Sequence, residues 1–219
     1  MAKSIRIPGA SFTKFVNYAV PYAENILGLY LLGTSGVLTR TNQANADLNG
    51  TIIGTPAYGE GFATFNMTAN GLNTNIQALP GFSYVVVCTE GPNAQAGYIG
   101  AWQSGGGNTE NLLFKGSGLL ATAVNGADRG AEVTYPAHGA NYLFMAGGYG
   151  GDTVNVALHD GSSLQYSEAS FTAAAPAALD IRMGANAFGT GAFNSAFGAV
   201  YDRILENSEM LEIYDTVKA

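Results

Sequence analysis

The chain has 219 residues, 47% hydrophobic but only 11% charged, and a formal net charge of -7 from 9 Lys and Arg against 16 Asp and Glu. So few basic residues, none clustered, exclude a nucleic-acid partner, which needs a basic footprint to displace counterions, and disfavour an anionic membrane surface for the same reason. The length fits one domain with a large core, and a charge content far below the usual quarter or so implies a surface rich in Asn, Ser, Thr and Gly or partly covered by neighbours.

Residues 1–25 differ from the rest of the chain, because Ile5, Ile7, Phe12, Phe15, Val16 and Tyr18 are set among Lys3, Arg6 and Lys14. Pro8 and Gly9 break any helix there. The segment reads as an N-terminal arm or extra strand, laid either on its own domain or on another subunit. Burying apolar side chains of that kind on a neighbour is favourable, so the expected partners are copies of the same chain in a homo-oligomer, a trimer included. No apolar run precedes Pro8 to make a secretory signal, and none reaches the roughly 18 residues of a membrane span. The chain reads as one made in a host cytoplasm, without membrane insertion.

From Ile26 the vocabulary is that of β-strands. Ile26 to Leu32, Thr51 to Gly54, Phe62 to Asn66, Leu72 to Ile76 and Phe82 to Thr89 are short runs bounded by Gly, Pro or Asn. Leu38 to Gly50 reads as an Asn-rich polar connection. Val85 and Val87 point one way and Val86 and Cys88 the other, so this strand is apolar on both faces and belongs in the centre of a sheet. Cys88 is the sole cysteine, which excludes an internal disulfide. In so apolar a run it reads as a buried small hydrophobe.

Further strands are expected at Gly97 to Trp102, Asn111 to Phe114, Leu119 to Val124, Tyr142 to Ala146, Thr153 to His159, Leu179 to Met183 and Phe193 to Tyr201. Val154, Val156 and Leu158 alternate cleanly, as do Leu179, Ile181 and Met183, leaving Asp180 and Arg182 on the wet face. His159-Asp160-Gly161-Ser162 reads as a hairpin turn in which Asp-Gly supplies the positive φ of a primed turn. After Tyr201 the spacing becomes helical. Glu206, Glu209 and Glu212 fall on one solvated face, with Asn207 as the expected N-cap.

The closing stretch FNSAFGAVYDRILENSEMLEIY, from Phe193 to Tyr214, resembles the end of concanavalin-A-like jelly rolls of the laminin-G-like type. The Asp160-Gly161 hairpin, the Pro80-Gly81-Phe82-Ser83 turn and the Leu179–Gly184 strand with its Gly-Ala-Asn turn add to the resemblance. It implies an all-β, two-sheet antiparallel sandwich over residues 26–219, closed by a short C-terminal helix. The GLYLLGTSG opening and the Gly-rich, cysteine-poor body are also similar in style to lectin-like accessory proteins of tailed-phage particles. That likeness implies a virion location, with other virion proteins as partners.

Motifs for chemistry are poor. Glycosidases of this fold place paired carboxylates as Glu-x-Asp-x-Glu, about 5 to 5.5 Å apart in the retaining case, and no such triplet exists. His138 and His159 are the only histidines and no Gly-x-Ser-x-Gly elbow accompanies them. Gly116 to Ala121 has the letters of a dinucleotide fingerprint, but Asn125-Gly126 ends the run too soon for a helix, so it reads as a β-turn. Asn45 to Gly50 copies half a calcium loop, yet Pro56 stands where the bidentate Glu belongs. The expectation is no enzyme activity, no catalytic residue, no metal and no cofactor.

Sugars stack an apolar face on an exposed ring and hydrogen-bond to amides and carboxylates. Two loops offer that combination: Trp102 with Gln103 before the Gly-rich stretch 104–108, and Tyr149 with Asp152 among Gly147, Gly148, Gly150 and Gly151. The competing reading of Trp102 is a core tryptophan at a strand end, and that of Tyr149 a loop aromatic packed over its own hairpin. The expected function is a non-enzymatic structural or recognition module of a virion, with carbohydrate as ligand and Trp102, Gln103, Tyr149 and Asp152 as its site. A glycan-cleaving enzyme of the same fold, or an assembly protein with no ligand, are the alternatives.

Overall fold

The computed structural model describes residues 20–33, 35–66, 68–89, 95–101, 111–116, 118–124, 128–135, 142–150, 152–170, 179–185 and 191–217. In chain order these form β1 (Ile26–Leu31), α1 (Gly36–Arg40), β2 (Thr51–Ile53), β3 (Ala57–Gly59), β4 (Phe62–Asn66), β5 (Gly71–Gln77), β6 (Gly81–Thr89) and β7 (Gln95–Ala101). Next come β8 (Asn111–Gly116), β9 (Leu119–Val124), β10 (Asp128–Thr134), β11 (Tyr142–Gly150), β12 (Thr153–His159), β13 (Leu164–Ser170), β14 (Asp180–Gly184), β15 (Ala192–Tyr201) and α2 (Asn207–Val217). Single 3-10 turns occur at Ala23–Asn25 and Ala46–Leu48.

The strands make two antiparallel sheets. One has eight strands in the order β13-β12-β11-β6-β15-β4-β3, with β1 also paired to β15; the other has seven in the order β10-β9-β8-β7-β14-β5-β2. The alternating residues expected to point inward do so: Val154, Val156, Leu158, Ile181 and Met183 all lie in the core between the sheets with Phe65, Tyr84, Tyr98 and Leu113. Cys88 is fully buried in the same core, and burial pushes its thiol well above the usual range.

The two-faced character of β6 has a specific cause. Val86 and Cys88 face the seven-stranded sheet, whereas Val85 and Val87 face a second core on the opposite side, with Phe144, Phe197, Ala199 and Tyr201. That side is roofed by α2, whose Met210, Ile213, Tyr214 and Val217 recur at helical spacing along one buried stripe. Tyr214 stacks on His159, ring centroids 3.5 Å apart, and meets Phe144 edge-on at 5.6 Å. The molecule is thus three layers deep where β6 runs.

A clasp fastens this roof to the sheet. The Arg203 guanidinium donates to both carboxylate oxygens of Glu209, at 2.8 and 2.6 Å, and its Nε donates to Asn25 Oδ1 at 3.2 Å. Arg203 also lies over the Tyr22 ring at 5.0 Å, while the Tyr22 hydroxyl donates to Glu212 at 2.7 Å. That bond to Glu212 raises the Tyr22 phenol to about 12. Asn25 Nδ2 donates to Asp202 at 3.0 Å. The Asp202-Arg203 pair thereby joins the end of β15, the first turn of α2 and residues 22–25. Val20 is 4% exposed in the second core, so residues 20–25 belong to the packed domain; residues 1–19 of the expected arm lie outside the described residues.

Four details differ from the sequence reading. The residue before the helix is Glu206, not Asn207; its N–H donates to Glu209 Oε2 and its carbonyl accepts from Met210 N–H, which is half of a capping box. Glu209 is therefore a clasp residue, only 16% exposed, while Glu206 and Glu212 are exposed. The β12–β13 hairpin closes through four residues, Asp160 to Ser163, because Asp160 Oδ1 accepts from the N–H groups of both Ser162 and Ser163; Gly161 has φ 94° as expected of it. Finally, the polar connection before β2 contains α1, capped by Ser35 Oγ accepting from Leu38 N–H, and β3, β10 and β13 are additional strands.

Candidate functional site

The strand registers gather the loops of interest at one end of the sandwich. Arg182 pairs with Gly100 and Asp180 with Gln77, so Ala101, Asp180 and Gln77 lie together at one end of the seven-stranded sheet. Residues 78–80 link Gln77 to Gly81, and Gly81 pairs with Gly150, which brings the β11–β12 turn with Asp152 to the same end. Trp102 and Gln103 come directly after Ala101 in the chain and lie outside the described residues, as does His138. Asp152 is exposed at this end.

Tyr149 is a correction. It is 3% exposed, within β11, with its ring 6.2 Å from Phe82 in the core between the sheets. A ring so enclosed has no face for a sugar. Gly148 serves strand packing rather than a ligand loop: a Cβ there would stand 2.5 Å from Ser83 Oγ and 2.7 Å from Asn155 Oδ1. Ser83 and Asn155 in turn receive and support the Leu205 backbone where the chain turns into α2.

The outer face of the seven-stranded sheet carries a polar strip built on β5 and β14. Inward-facing Leu72, Ile76, Ile181 and Met183 leave Asn73, Asn75, Gln77, Asp180 and Arg182 facing out. Three residues of β5, Thr74 to Ile76, oppose Ile181 alone, a bulge that pushes Asn75 outward. Asn75 has φ 57°, a left-handed conformation that Asn tolerates better than most residues. The bulge is pinned from both sides. Thr74 Oγ1 donates to Ile181 O at 2.7 Å, Asn73 Oδ1 accepts from Asn75 N–H at 2.9 Å, and Asn75 Nδ2 donates to Asn49 O at 2.8 Å and Thr51 Oγ1 at 3.1 Å. Asn73 Nδ2 donates to Asp180 Oδ2 at 2.9 Å. Half-buried Arg182, beside that pair, makes no hydrogen bond or ion pair among the described residues.

Chemically the strip offers amide donors and acceptors, one carboxylate already engaged and one guanidinium not engaged, held on sheet strands rather than on a loop. The wet face of Asp180 and Arg182 was readable from the sequence, as was a strand at Leu72 to Ile76. Their adjacency was not. No group of three or more His, Cys, Asp and Glu among the described residues is placed to hold a metal ion. The half calcium loop is turn structure, with Asn45 Oδ1 accepting from Asp47 N–H. Nor is any helix among the described residues long and apolar enough to cross a membrane.

These features define a two-sheet antiparallel jelly-roll β-sandwich with one short C-terminal helix. Among solved structures the chain is similar to Trypanosoma rangeli sialidase, with TM-score 0.64 and 16% identity over 91% of this chain and 34% of that one. It is similar to the binding domain of botulinum neurotoxin serotype D, with TM-score 0.62 and 10% identity over 88% of this chain and 51% of that one. A third likeness is to the binding domain of botulinum neurotoxin DC in complex with SialylT, with TM-score 0.64 and 8% identity over 89% of this chain and 52% of that one. The chain thus spans about a third of the sialidase and half of the toxin domains, and at such identities the likeness is one of fold. No protein-family profile matches the sequence, and no curated protein sequence matches it.

Proposed function

We propose that the protein is a non-enzymatic recognition module that binds carbohydrate and works as a structural part of a larger particle. The observation that carries the reading is the pinned outward strip of Asn73, Asn75, Gln77, Asp180 and Arg182, at the end of the sheet from which the chain continues into Trp102 and Gln103. Amide and charged side chains on rigid strands suit sugar hydroxyls, and Trp102 supplies the ring face, with Gln103 and exposed Asp152 as polar partners from the neighbouring loops. Tyr149 has no part in it. A fold shared with a toxin binding domain in complex with SialylT supports the carbohydrate half of the reading. The likeness in style to tailed-phage accessory proteins and the low charge content support the virion half, with assembly into homo-oligomers.

A glycan array of the full-length chain, followed by titration of the hits, tests this. Trp102→Ala and Gln77→Ala are each expected to weaken binding while leaving the fold intact. For Trp102 the loss is about 2 kcal/mol, roughly thirtyfold in Kd. Affinity unchanged in both variants would remove the site. The sialidase-like alternative is checked on the same glycans: no steady release of reducing ends is expected, and turnover abolished by changing a single Asp or Glu would replace this reading with an enzymatic one.

A further inference from the structure

We propose that Arg182 makes the strip selective for acidic saccharides, its guanidinium taking a sugar carboxylate while Asn73, Asn75 and Gln77 take the hydroxyls. The inference rests on the carbohydrate reading above and names the class of ligand. Arg182 projects from β14 between Asn73 on β5 and Gly100 on β7, and it is half-buried. The nearest carboxylate along the strand, Asp180, is held by Asn73 Nδ2 at 2.9 Å, and Arg182 forms no ion pair among the described residues.

Arg203 is placed differently. That side chain, similarly part-buried, has both carboxylate oxygens of Glu209 within 2.8 Å. In a chain with 9 Lys and Arg against 16 Asp and Glu, Arg182 is half-buried with no such partner among the described residues. Partial burial without a counter-charge is costly, and an anionic ligand removes that cost. The planar donor fork matches a carboxylate in two parallel hydrogen bonds, which a neutral hydroxyl cannot reproduce. Asn75 is fixed by its bonds to Asn49 O and Thr51 Oγ1, and Asn73 by its bonds to Asp180 Oδ2 and Asn75 N–H, so these two amides hold one register for the rest of the sugar.

The experiment titrates the full-length protein with matched saccharides, sialyllactose against lactose and hexuronate-containing against neutral oligosaccharides, with sulfated oligosaccharides as a further arm. The carboxylated member of at least one pair is expected to bind about tenfold or more tightly than its neutral match. Arg182→Gln is expected to bring it down to the neutral level, and Arg182→Lys to restore only part of the difference, with thermal denaturation unchanged in both. Equal affinity for acidic and neutral members, or an acidic preference that survives Arg182→Gln, overturns the inference and leaves the carbohydrate reading standing. A preference for sulfated over carboxylated sugars overturns the carboxylate assignment. No binding to any saccharide overturns both.

Discussion

Replacing Arg203 with alanine is expected to destabilise the fold by about 2 to 4 kcal/mol, since it strands a part-buried Glu209 and loosens Tyr22 and Asn25 together. For a chain of this size that is a fall in Tm of roughly 4 to 16 °C. The effect also has a pH signature. Arg203 holds the Glu209 carboxyl below its usual 4.5. A depressed carboxylate contributes stability above the unfolded-state value and loses it as pH falls through the folded-state value. The gap between wild type and Arg203→Ala, measured by thermal denaturation, is therefore full at neutral pH and narrows as the pH drops below 4.5. A gap that persists unchanged into that acid range would show that the ion pair contributes little and that Arg203 acts through packing alone.

Asn42→Leu is expected to cost about as much, roughly 3 to 5 kcal/mol, although the two side chains are similar in size. Asn42 is 2% exposed, and its Oδ1 accepts from the N–H groups of Leu29, Ala44 and Asn45 at 3.0, 3.0 and 3.1 Å. Its Nδ2 donates to Leu27 O at 2.9 Å and Leu48 O at 3.3 Å. A leucine there leaves the outer edge of β1 and the adjoining loop with buried polar groups unpaired. Urea denaturation should show the midpoint falling sharply, whereas Asn45→Ala, which removes one exposed cap, costs about 1 kcal/mol. Equal midpoints for the two variants would mean that water replaces the amide without penalty.

The central strands were legible in the sequence and three of the edge strands were not. Val85 to Cys88, Val154 to Leu158 and Leu179 to Met183 announce themselves because burial on one or both faces forces apolar residues into period two. By contrast β3, β10 and β13 each end a sheet. An edge strand such as β13 is part-exposed along most of its length, so Leu164 to Ser170 carries no clean alternation. The helix after Tyr201 could be read, but not the face it covers, and its Glu209 looked solvated because Arg203 sits six residues away rather than at helical spacing. Tyr149 misled for a related reason. Glycines around an aromatic read as a loop, whereas here Gly148 lies within β11 and makes room for Ser83, Asn155 and Ile204. The polar strip was split between residues 73–77 and 180–182, and only the registers bring the halves together.

Of the described strands, the one latest in sequence does not stand at the edge of its sheet. β15 lies between β6 and β4 and is also the partner of β1, so it is the seam through which the N-terminal quarter joins the middle of the chain. A growing chain on the ribosome cannot close this sheet until Tyr201 has emerged, and until then β6 shows apolar residues on both sides with neither α2 nor β15 to cover them. Pairings of such wide sequence separation form slowly. Exposed hydrophobic strands awaiting them are the species that aggregate or occupy chaperones. The nascent protein is consequently most vulnerable in the interval between synthesis of β6 and emergence of β15 and α2, and a chain cut short before Ala192 would remain in that condition.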